Sequence, residues 1–163
     1  MIIELKKKDT LIVDEYKFKC CIGKNGIKFN KKEGDLSTPK GIYKLGTLYY
    51  RKDRNQKPKT NFKTKNIKSN MGWCDDSKSQ HYNTEILINN SIKHEKLFRK
   101  DHIYDYILVI EFNTKKRVPE KGSAIFIHLT KNYNTTAGCI ALNKKDFLIL
   151  LKLITNKTKL KIS

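Results

Sequence analysis

The chain has 163 residues, of which 38% are hydrophobic, so it has the size of one ordinary domain and enough apolar residues to bury a core. Its 35 lysines and arginines against 16 aspartates and glutamates give a net charge of +19, so we expect an electropositive surface that attracts polyanions. No apolar run approaches the length of a transmembrane helix, which excludes a membrane-spanning helical protein. We therefore predict a single domain over residues 1–163.

The positive charge is carried almost entirely by lysine. The chain has only four arginines, Arg51, Arg54, Arg99 and Arg117. Recognition of nucleic-acid bases favours the planar arginine side chain. A lysine excess spread along the whole chain therefore indicates a general amino-acid bias of the source more than a nucleic-acid-binding site. Nucleic acid is therefore not the expected partner, and an anionic cell-wall polymer is the other polyanion to consider.

The cysteines and the N-terminus bear on the cellular compartment. Cys20, Cys21, Cys74 and Cys139 show neither C-x-x-C spacing nor the density of a disulfide scaffold, so a disulfide is possible but not required. The first residues, MIIELKKK, lack the apolar segment of a secretory signal. As written, the sequence therefore predicts a cytoplasmic protein.

The first third of the chain has the pattern of short strands joined by turns. Ile2–Leu5, Thr10–Val13 and Tyr16–Ile22 are predicted strands of an antiparallel meander. The turn signal Gly23–Gly26 predicts a hairpin that leads into a further strand at Ile27–Phe29. We therefore expect an antiparallel β opening.

The rest of the chain continues mainly as β structure. Strands are predicted at residues 42–46 and 48–54, an exposed polar loop at residues 55–69, and a central strand at residues 103–112. Asn143 is a good N-cap for a helix over residues 144–154, in which Phe147, Leu148, Leu151 and Ile154 recur at helical spacing. Leu160–Ile162 is a predicted edge strand. The expected fold is mainly β, with an inserted polar segment and a C-terminal helix.

Residues 123–142 contain the side chains with the clearest chemical meaning. Ala124–Ile127 predicts a short buried strand that ends at His128, and a polar loop then leads to Cys139 at the start of the next strand. A base beside a cysteine favours the nucleophilic thiolate, since a free thiol titrates at about 8.5. Gly138 lets the backbone bend so that its amide and that of Cys139 face a developing oxyanion. The alternative is a small buried cysteine and a structural histidine.

These residues resemble the signature of the YkuD-type L,D-transpeptidases, in which a histidine precedes a Ser/Thr-x-Gly-Cys motif, here Thr136 to Cys139. The segment Gly34–Tyr43 is similar to that family's Gly-Asp-x-x-Thr-Pro-x-Gly-x-Tyr/Phe segment. Further short motifs occur in the same order as in a branch of small, single-domain family members: Trp73–Asp76, Tyr82-Asn83, His94-Glu95 with Leu97 and Arg99, and Tyr104-Asp105. The resemblance spans nearly the whole chain and implies an L,D-transpeptidase-like β-sandwich or open barrel.

The resemblance also implies a reaction, in which peptidoglycan stem peptides are cross-linked through a thioester on Cys139 without a cofactor or a metal. In that picture His128 keeps Cys139 as a thiolate, and the amides of Gly138 and Cys139 stabilise the oxyanion. An amine of a second stem peptide then resolves the thioester, whereas resolution by water would make the enzyme an L,D-carboxypeptidase. Such a role in cell-wall biogenesis and cell shape implies a bacterial protein of the periplasm or cell wall, which conflicts with the absent signal.

Several other residues are candidates for binding the substrate: Thr136, Trp73, Asp75, Asp76, Tyr82, Asn83, His94, Glu95 and Arg99. Trp73 is either a wall for sugar or peptide or a core residue. Asp75 and Asp76 either bind a substrate amine or form turns. A polar network, in which Glu95 or Asp101 pairs with Arg99, is the simpler alternative. A zinc site from Cys74, His81, His94 and Glu95 is not expected, because no metal motif is present.

The chain departs from the family pattern at two positions near the cysteine. Ala137 stands where many members have histidine, and Ala141 stands where many have an arginine suited to a substrate carboxylate. Carboxylate recognition must then come from elsewhere, such as Arg99 or a lysine. The rival hypothesis from another class is a non-catalytic basic module that binds cell-wall polymer or nucleic acid.

Overall fold

The computed structural model describes residues 1–7 and 9–163 and shows a mainly β protein. The fourteen strands and one helix of the described residues are β1 (Ile2–Lys6), β2 (Thr10–Val13), β3 (Tyr16–Lys19), β4 (Ile27–Lys28), β5 (Thr38–Pro39), β6 (Gly41–Tyr50), β7 (Thr64–Asn66), β8 (Met71–Cys74), β9 (Glu85–Leu87), β10 (His94–Lys96), β11 (Tyr106–Ile110), β12 (Phe126–Leu129), β13 (Ile140–Leu142), α1 (Lys144–Leu153) and β14 (Lys159–Ile162).

The main sheet curves into a nearly closed barrel. Within the described ranges it has nine strands, eight of them in the order β13-β12-β11-β6-β14-β1-β2-β3, while β7 pairs with β6. Cys21, just after β3, forms an antiparallel bridge with Ala141 of β13, and Gly23 bridges Thr136. These bridges join the two ends of the strand order, so few unpaired backbone groups remain at the edges.

The core follows from alternation along the strands and from one amphipathic helix. Ile3 and Leu5 of β1 are fully buried, because alternate side chains point to the same face of a strand. The helix α1 begins after Asn143, whose side-chain oxygen accepts from the Asp146 amide at 2.8 Å. Its buried face, which includes Phe147, packs into the same core. Within the described ranges, no helix has the length and apolarity needed to cross a bilayer.

A small three-stranded sheet, in the order β10-β8-β9, stands beside the barrel. All four residues of β8 are buried. Trp73 of β8 packs edge-to-face on Phe126 of β12, with ring centroids 5.1 Å apart. This contact ties the inserted polar segment to the strand that carries His128.

Several predicted elements are confirmed. The meander β1-β2-β3 is antiparallel, and the helix and its Asn143 cap lie where the sequence places them. The predicted hairpin after Gly26 is wrong. β4 does not pair with β3, because Ile27 and Lys28 instead pair in parallel with Thr38 and Pro39 of β5.

Two further predictions are corrected. The C-terminal strand β14 is not an edge strand, since it lies between β6 and β1 in the main sheet. The segment at residues 55–69 is only partly an exposed loop. It contains β7, and its two large apolar side chains, Phe62 and Ile67, are buried at 5% and 2% exposure. Those side chains anchor an otherwise polar connection to the barrel.

Candidate active site

Two adjacent parallel strands position the imidazole and the thiol. Ile127 of β12 pairs with Ile140 of β13, and Cys139 immediately precedes that strand. His128 lies within β12 rather than at its end, two residues after Phe126 and therefore on the same side of the sheet. Phe126 and Cys139 share one apolar cluster, so this face of β12 looks toward the thiol.

The Cys139 thiol is held by two backbone groups. Its Sγ donates to the Ala124 carbonyl at 3.2 Å and accepts from the Phe126 amide at 3.3 Å. Ala124 has a positive φ of 52°, which is uncommon for a residue with a side chain and which turns its carbonyl toward the sulfur. Cys139 is 7% exposed, and it lines a pocket although it belongs to the apolar cluster.

The resting site holds a neutral thiol and a neutral imidazole. Burial raises the pKa of Cys139 far above its ordinary value, and the negative charge of Glu95 adds to this effect. Burial lowers the pKa of His128 to about 4. Among the described residues, no hydrogen bond joins His128 to the thiol. Both pKa shifts favour a neutral thiol and a neutral imidazole over the expected thiolate–imidazolium pair.

The tautomer of His128 follows from its contact with the backbone. Nδ1 lies 2.9 Å from the Leu129 carbonyl, which can only accept, so Nδ1 carries the proton and Nε2 keeps its lone pair. The Tyr104 ring packs edge-on against the imidazole at 5.2 Å between centroids. The ring is thus oriented as a neutral base whose free nitrogen is Nε2.

Gly138 is required by the shape of the backbone. Its φ is 146°, and a Cβ at this position would lie 2.7 Å from the Ser37 carbonyl oxygen. Its amide donates to Thr136 Oγ1 at 3.1 Å, while the Thr136 hydroxyl donates to the Cys139 carbonyl at 2.6 Å. The Gly138 amide is therefore already used, which corrects the expectation that it faces an oxyanion.

The Gly34–Tyr43 segment forms the floor beneath this loop. Thr38 Oγ1 donates to the Gly138 carbonyl at 2.8 Å and accepts from the Gly23 amide at 2.9 Å. Asp35 accepts from Lys31 Nζ at 2.8 Å and from the Ser37 hydroxyl at 2.7 Å. Although burial raises the pKa of Asp35, these bonds outweigh it and hold the pKa well below the ordinary value. The segment thus supports the loop that carries Cys139.

A pocket of about 510 Å³ opens beside the thiol. Six of the site residues predicted from the sequence line it: Cys139, His128, Thr136, Asp75, Asp76 and Glu95. Glu95 of β10 bonds the Tyr104 hydroxyl, which places a carboxylate close to Cys139. The structure therefore brings the Cys/His pair and three of the predicted acids into one cavity.

Trp73, Tyr82 and Asn83 do not line this pocket, contrary to their predicted role in binding substrate. Asn83 accepts from the Trp73 indole and from the Ala124 amide, and donates to the carbonyls of Phe112 and Asn113. Tyr82 is 2% exposed and bonds Glu33. Their polar groups are satisfied inside the protein, so they hold the pocket walls instead of contacting a ligand.

His94 and Arg99 also lie outside the pocket lining. His94 Nδ1 donates to the Ile92 carbonyl at 2.7 Å. Arg99 makes a two-pronged ion pair with Asp101, with distances of 2.9 and 2.6 Å, and stacks near the Tyr104 ring. The alternative that Arg99 belongs to a polar network is confirmed, since its guanidinium is already paired with Asp101.

Sequence reasoning missed several residues of the site. Glu33, Tyr104, Glu120 and Ser123 line the pocket, and Ala124 supplies the carbonyl that binds the thiol. Tyr104 was visible only as part of a motif. No local signal marks Ala124, because alanine does not favour the positive φ that it adopts.

The chain was also compared with known proteins. The family model for the L,D-transpeptidase catalytic domain, YkuD, matches residues 2–162. The chain belongs to this family. A comparison with the curated proteins gives no match. Membership links the chain to L,D-transpeptidase enzymes and to peptidoglycan.

The departure from the YkuD family pattern at Ala141 has a structural basis. Ala141 is 1% exposed, exchanges backbone hydrogen bonds with Cys21, and pairs with His128 in the sheet. An arginine here would replace a side chain that is almost fully buried, and burying an unpaired charge is costly. The chain therefore has a small apolar side chain at the position where many family members have arginine.

The other groups considered from the sequence give no second site. None of the four cysteines forms a disulfide. No group of three or more metal-ligating side chains is found in the part of the chain that the structure describes.

Proposed function

We propose that this protein is a cysteine-dependent L,D-transpeptidase that acts on peptidoglycan stem peptides through a thioester. The observation that carries the proposal is the shared pocket of Cys139 and His128 in a chain whose family is that of the L,D-transpeptidase catalytic domain. A thiol is a strong nucleophile once it loses its proton, and the neutral Nε2 of His128 is the base available on the same face of β12.

The reaction begins with the neutral pair. The thiol proton passes to His128 Nε2 as Sγ attacks the carbonyl carbon of the donor peptide, and the Cys139 amide stabilises the oxyanion. The carbon–nitrogen bond then breaks, and the imidazolium returns its proton to the leaving D-amino acid. The donor acyl group remains on Cys139 as a thioester.

The second half reverses the proton flow. An amine of an acceptor stem attacks the thioester and gives its proton to His128, and the released sulfur takes that proton back. Attack by water instead yields hydrolysis, which is L,D-carboxypeptidase activity. Since the resting thiol is neutral, proton transfer to His128 accompanies the attack rather than preceding it.

The test is incubation with tetrapeptide stems, followed by measurement of the released D-amino acid and of an acyl adduct on Cys139 by mass spectrometry. Wild type is expected to release the amino acid and to carry the adduct, and His128→Ala is expected to lose both while retaining its circular dichroism spectrum. Cross-linked product indicates a transpeptidase and free tripeptide indicates a carboxypeptidase. No release and no adduct would favour a non-catalytic basic module.

A further inference from the structure

The pocket beside Cys139 has the opposite charge from the rest of the chain. The chain has 35 basic and 16 acidic residues, yet two lysines and five acids line the pocket. Of the lysines, Lys31 already binds Asp35 at 2.8 Å, and Lys93 is 73% exposed and reaches only to 4.0 Å from Asp75. The acids are Glu33, Asp75, Asp76, Glu95 and Glu120. We call these five residues the acidic wall.

Two polar groups at the pocket find no hydrogen-bond partner within the described residues. Asp75 Oδ1 is one of them, although the atom is buried. The other is the hydroxyl of Ser123, a pocket-lining residue with 7% exposure. The Tyr82 hydroxyl lies near it but donates to Glu33 and accepts from the Gly122 amide. Buried oxygens without partners are destabilising, so these two are suited to a ligand that brings N–H donors.

The electrostatics of the acidic wall select the sign of that ligand. Burial raises the pKa of Asp75, the charge of Lys93 partly opposes this shift, and the charge of Glu33 adds to it. Burial likewise raises the pKa of Glu95. An ammonium group relieves this repulsion and offers three N–H donors, whereas a carboxylate would increase the repulsion. The absence of an arginine at Ala141 fits the same preference.

We propose that the acidic wall binds a protonated amino group of the acyl donor, and that this bound cation makes Cys139 reactive. The proposal rests on the function given above and names its substrate class: a peptide with a free amine close to the attacked carbonyl. The amine belongs to the donor because carboxylates keep an amine protonated, and a protonated acceptor amine has no lone pair with which to attack.

The bound cation acts on the thiol through charge. The titratable groups around Cys139 are Glu95, Lys31, Tyr104 and His128. Of these, the negative charge of Glu95 raises the pKa of Cys139 and so disfavours the thiolate. A cation bound at the Glu95 carboxylate would neutralise that charge and remove this part of the pKa shift. Each unit by which the thiol pKa falls increases the thiolate fraction about tenfold at neutral pH. A bound donor therefore favours the thiolate by removing the effect of Glu95, while burial remains the larger cause of the raised pKa of Cys139.

The first experiment uses alkylation of Cys139 by iodoacetamide, a neutral probe that needs no acyl transfer. Its rate at pH 7.5, resolved by mass spectrometry, is measured with propylammonium chloride against tetramethylammonium chloride and potassium chloride at equal ionic strength. We expect propylammonium alone to accelerate alkylation, by about tenfold at saturation. No acceleration, or equal acceleration by all three salts, would overturn the inference.

Charge-removing variants provide the second measurement. Glu95→Gln should increase alkylation without amine about tenfold, remove the response to propylammonium, and increase KM for an amine-bearing donor peptide. Asp75→Asn should weaken the propylammonium response without disturbing the Tyr104 contact of Glu95. The matched control is Glu15→Gln, which removes one carboxylate at an exposed turn outside the pocket lining and should behave as wild type. An increase in thiol reactivity together with an increase in KM is not expected of a purely structural residue.

A pair of donor peptides separates this inference from the function on which it rests. The two peptides differ only in acetylation of the free amine close to the attacked carbonyl, and the peptide with the unmodified amine should be favoured at least tenfold in kcat/KM. Equal turnover of both would overturn the cation site and leave the transpeptidase function standing. Acceleration of alkylation by propylammonium without turnover of either peptide would uphold the cation site and reject the function.

Discussion

The two apolar clusters of this molecule differ in what holds them together. The larger cluster fills the barrel beneath α1 and consists of aliphatic and aromatic side chains such as Phe147 and Leu150. The smaller cluster surrounds Trp73, Phe126 and Cys139 on the other side of the same strands. Beside the smaller cluster, the buried Asn83 side chain makes four hydrogen bonds. Among the buried groups described above, no side chain of the larger cluster makes such a set of bonds.

The difference separates stability from chemistry. Apolar burial is non-directional, so the larger cluster sets how stable the barrel is but aims no reactive group. Hydrogen bonds are directional, and those of the smaller cluster place the Ala124 carbonyl against the thiol. The variants below are expected to break one cluster while sparing the other.

Loss of the nucleophile should have the largest effect. Cys139→Ala is expected to lower transpeptidation at least about a thousandfold, because no other group can form the acyl intermediate, while the free energy of unfolding changes by about 1 kcal/mol. Release of the D-amino acid measures the first, and urea titration measures the second. Cys20→Ala, in the larger cluster, should stay active, and activity retained in the Cys139 variant would refute the proposed mechanism.

A cavity in the larger cluster should have the reverse effect. Phe147→Ala removes a fully buried ring and is expected to lower the free energy of unfolding by about 3–5 kcal/mol. Below its melting temperature, the rate of Cys139 alkylation should remain that of wild type. Leu87→Ala, at a 68% exposed position, should leave stability nearly unchanged. A large change in Cys139 reactivity in the Phe147 variant would show that the clusters are coupled.

The buried imidazole should make stability depend on acid. The pKa of His128 falls from its ordinary value of 6.5 to about 4 on folding, so the unfolded chain binds the proton more readily. Stability from this group is complete above pH 6.5 and is lost as pH falls toward 4, by about 3 kcal/mol. Urea titrations between pH 7 and 4 should show this slope in wild type and in His81→Gln. A slope that persists unchanged in His128→Gln would contradict the assignment.

Removal of the Asn83 hydrogen bonds beside the smaller cluster should give the smallest of the four effects. Asn83→Ala leaves buried donors and acceptors without partners and is expected to destabilise the fold by about 2 kcal/mol. The pH profile of Cys139 alkylation should also shift, because the Ala124 carbonyl loses its anchor. Asn132→Ala, at an exposed loop position, should change neither quantity. A destabilised Asn83 variant with an unchanged pH profile would mean that Asn83 serves stability alone.

Sequence patterns were most informative where the interaction is local. The alternation in β1 and β2, the helical spacing in α1 and the Asn143 cap all act within a few residues, and the structure confirms them. Predictions were wrong where partners are distant. β4 pairs with β5, whose partner residue Thr38 lies eleven residues after Ile27 in the sequence. β14 lies between β6 and β1, and β1 is at the other end of the chain. The acidic wall shows the same limit, since its members come from widely separated segments.

By itself, the sequence determined the family and the mainly β class and identified the candidate catalytic residues, because motif order and short-range periodicity are properties of the linear chain. Only the tertiary structure decided which of those residues line the pocket, that burial favours the neutral forms of the thiol and the imidazole, and that carboxylates line the pocket beside Cys139 in an electropositive protein. The physical reason is that burial and proximity, which set charge states and hydrogen bonds, depend on contacts between residues far apart in sequence.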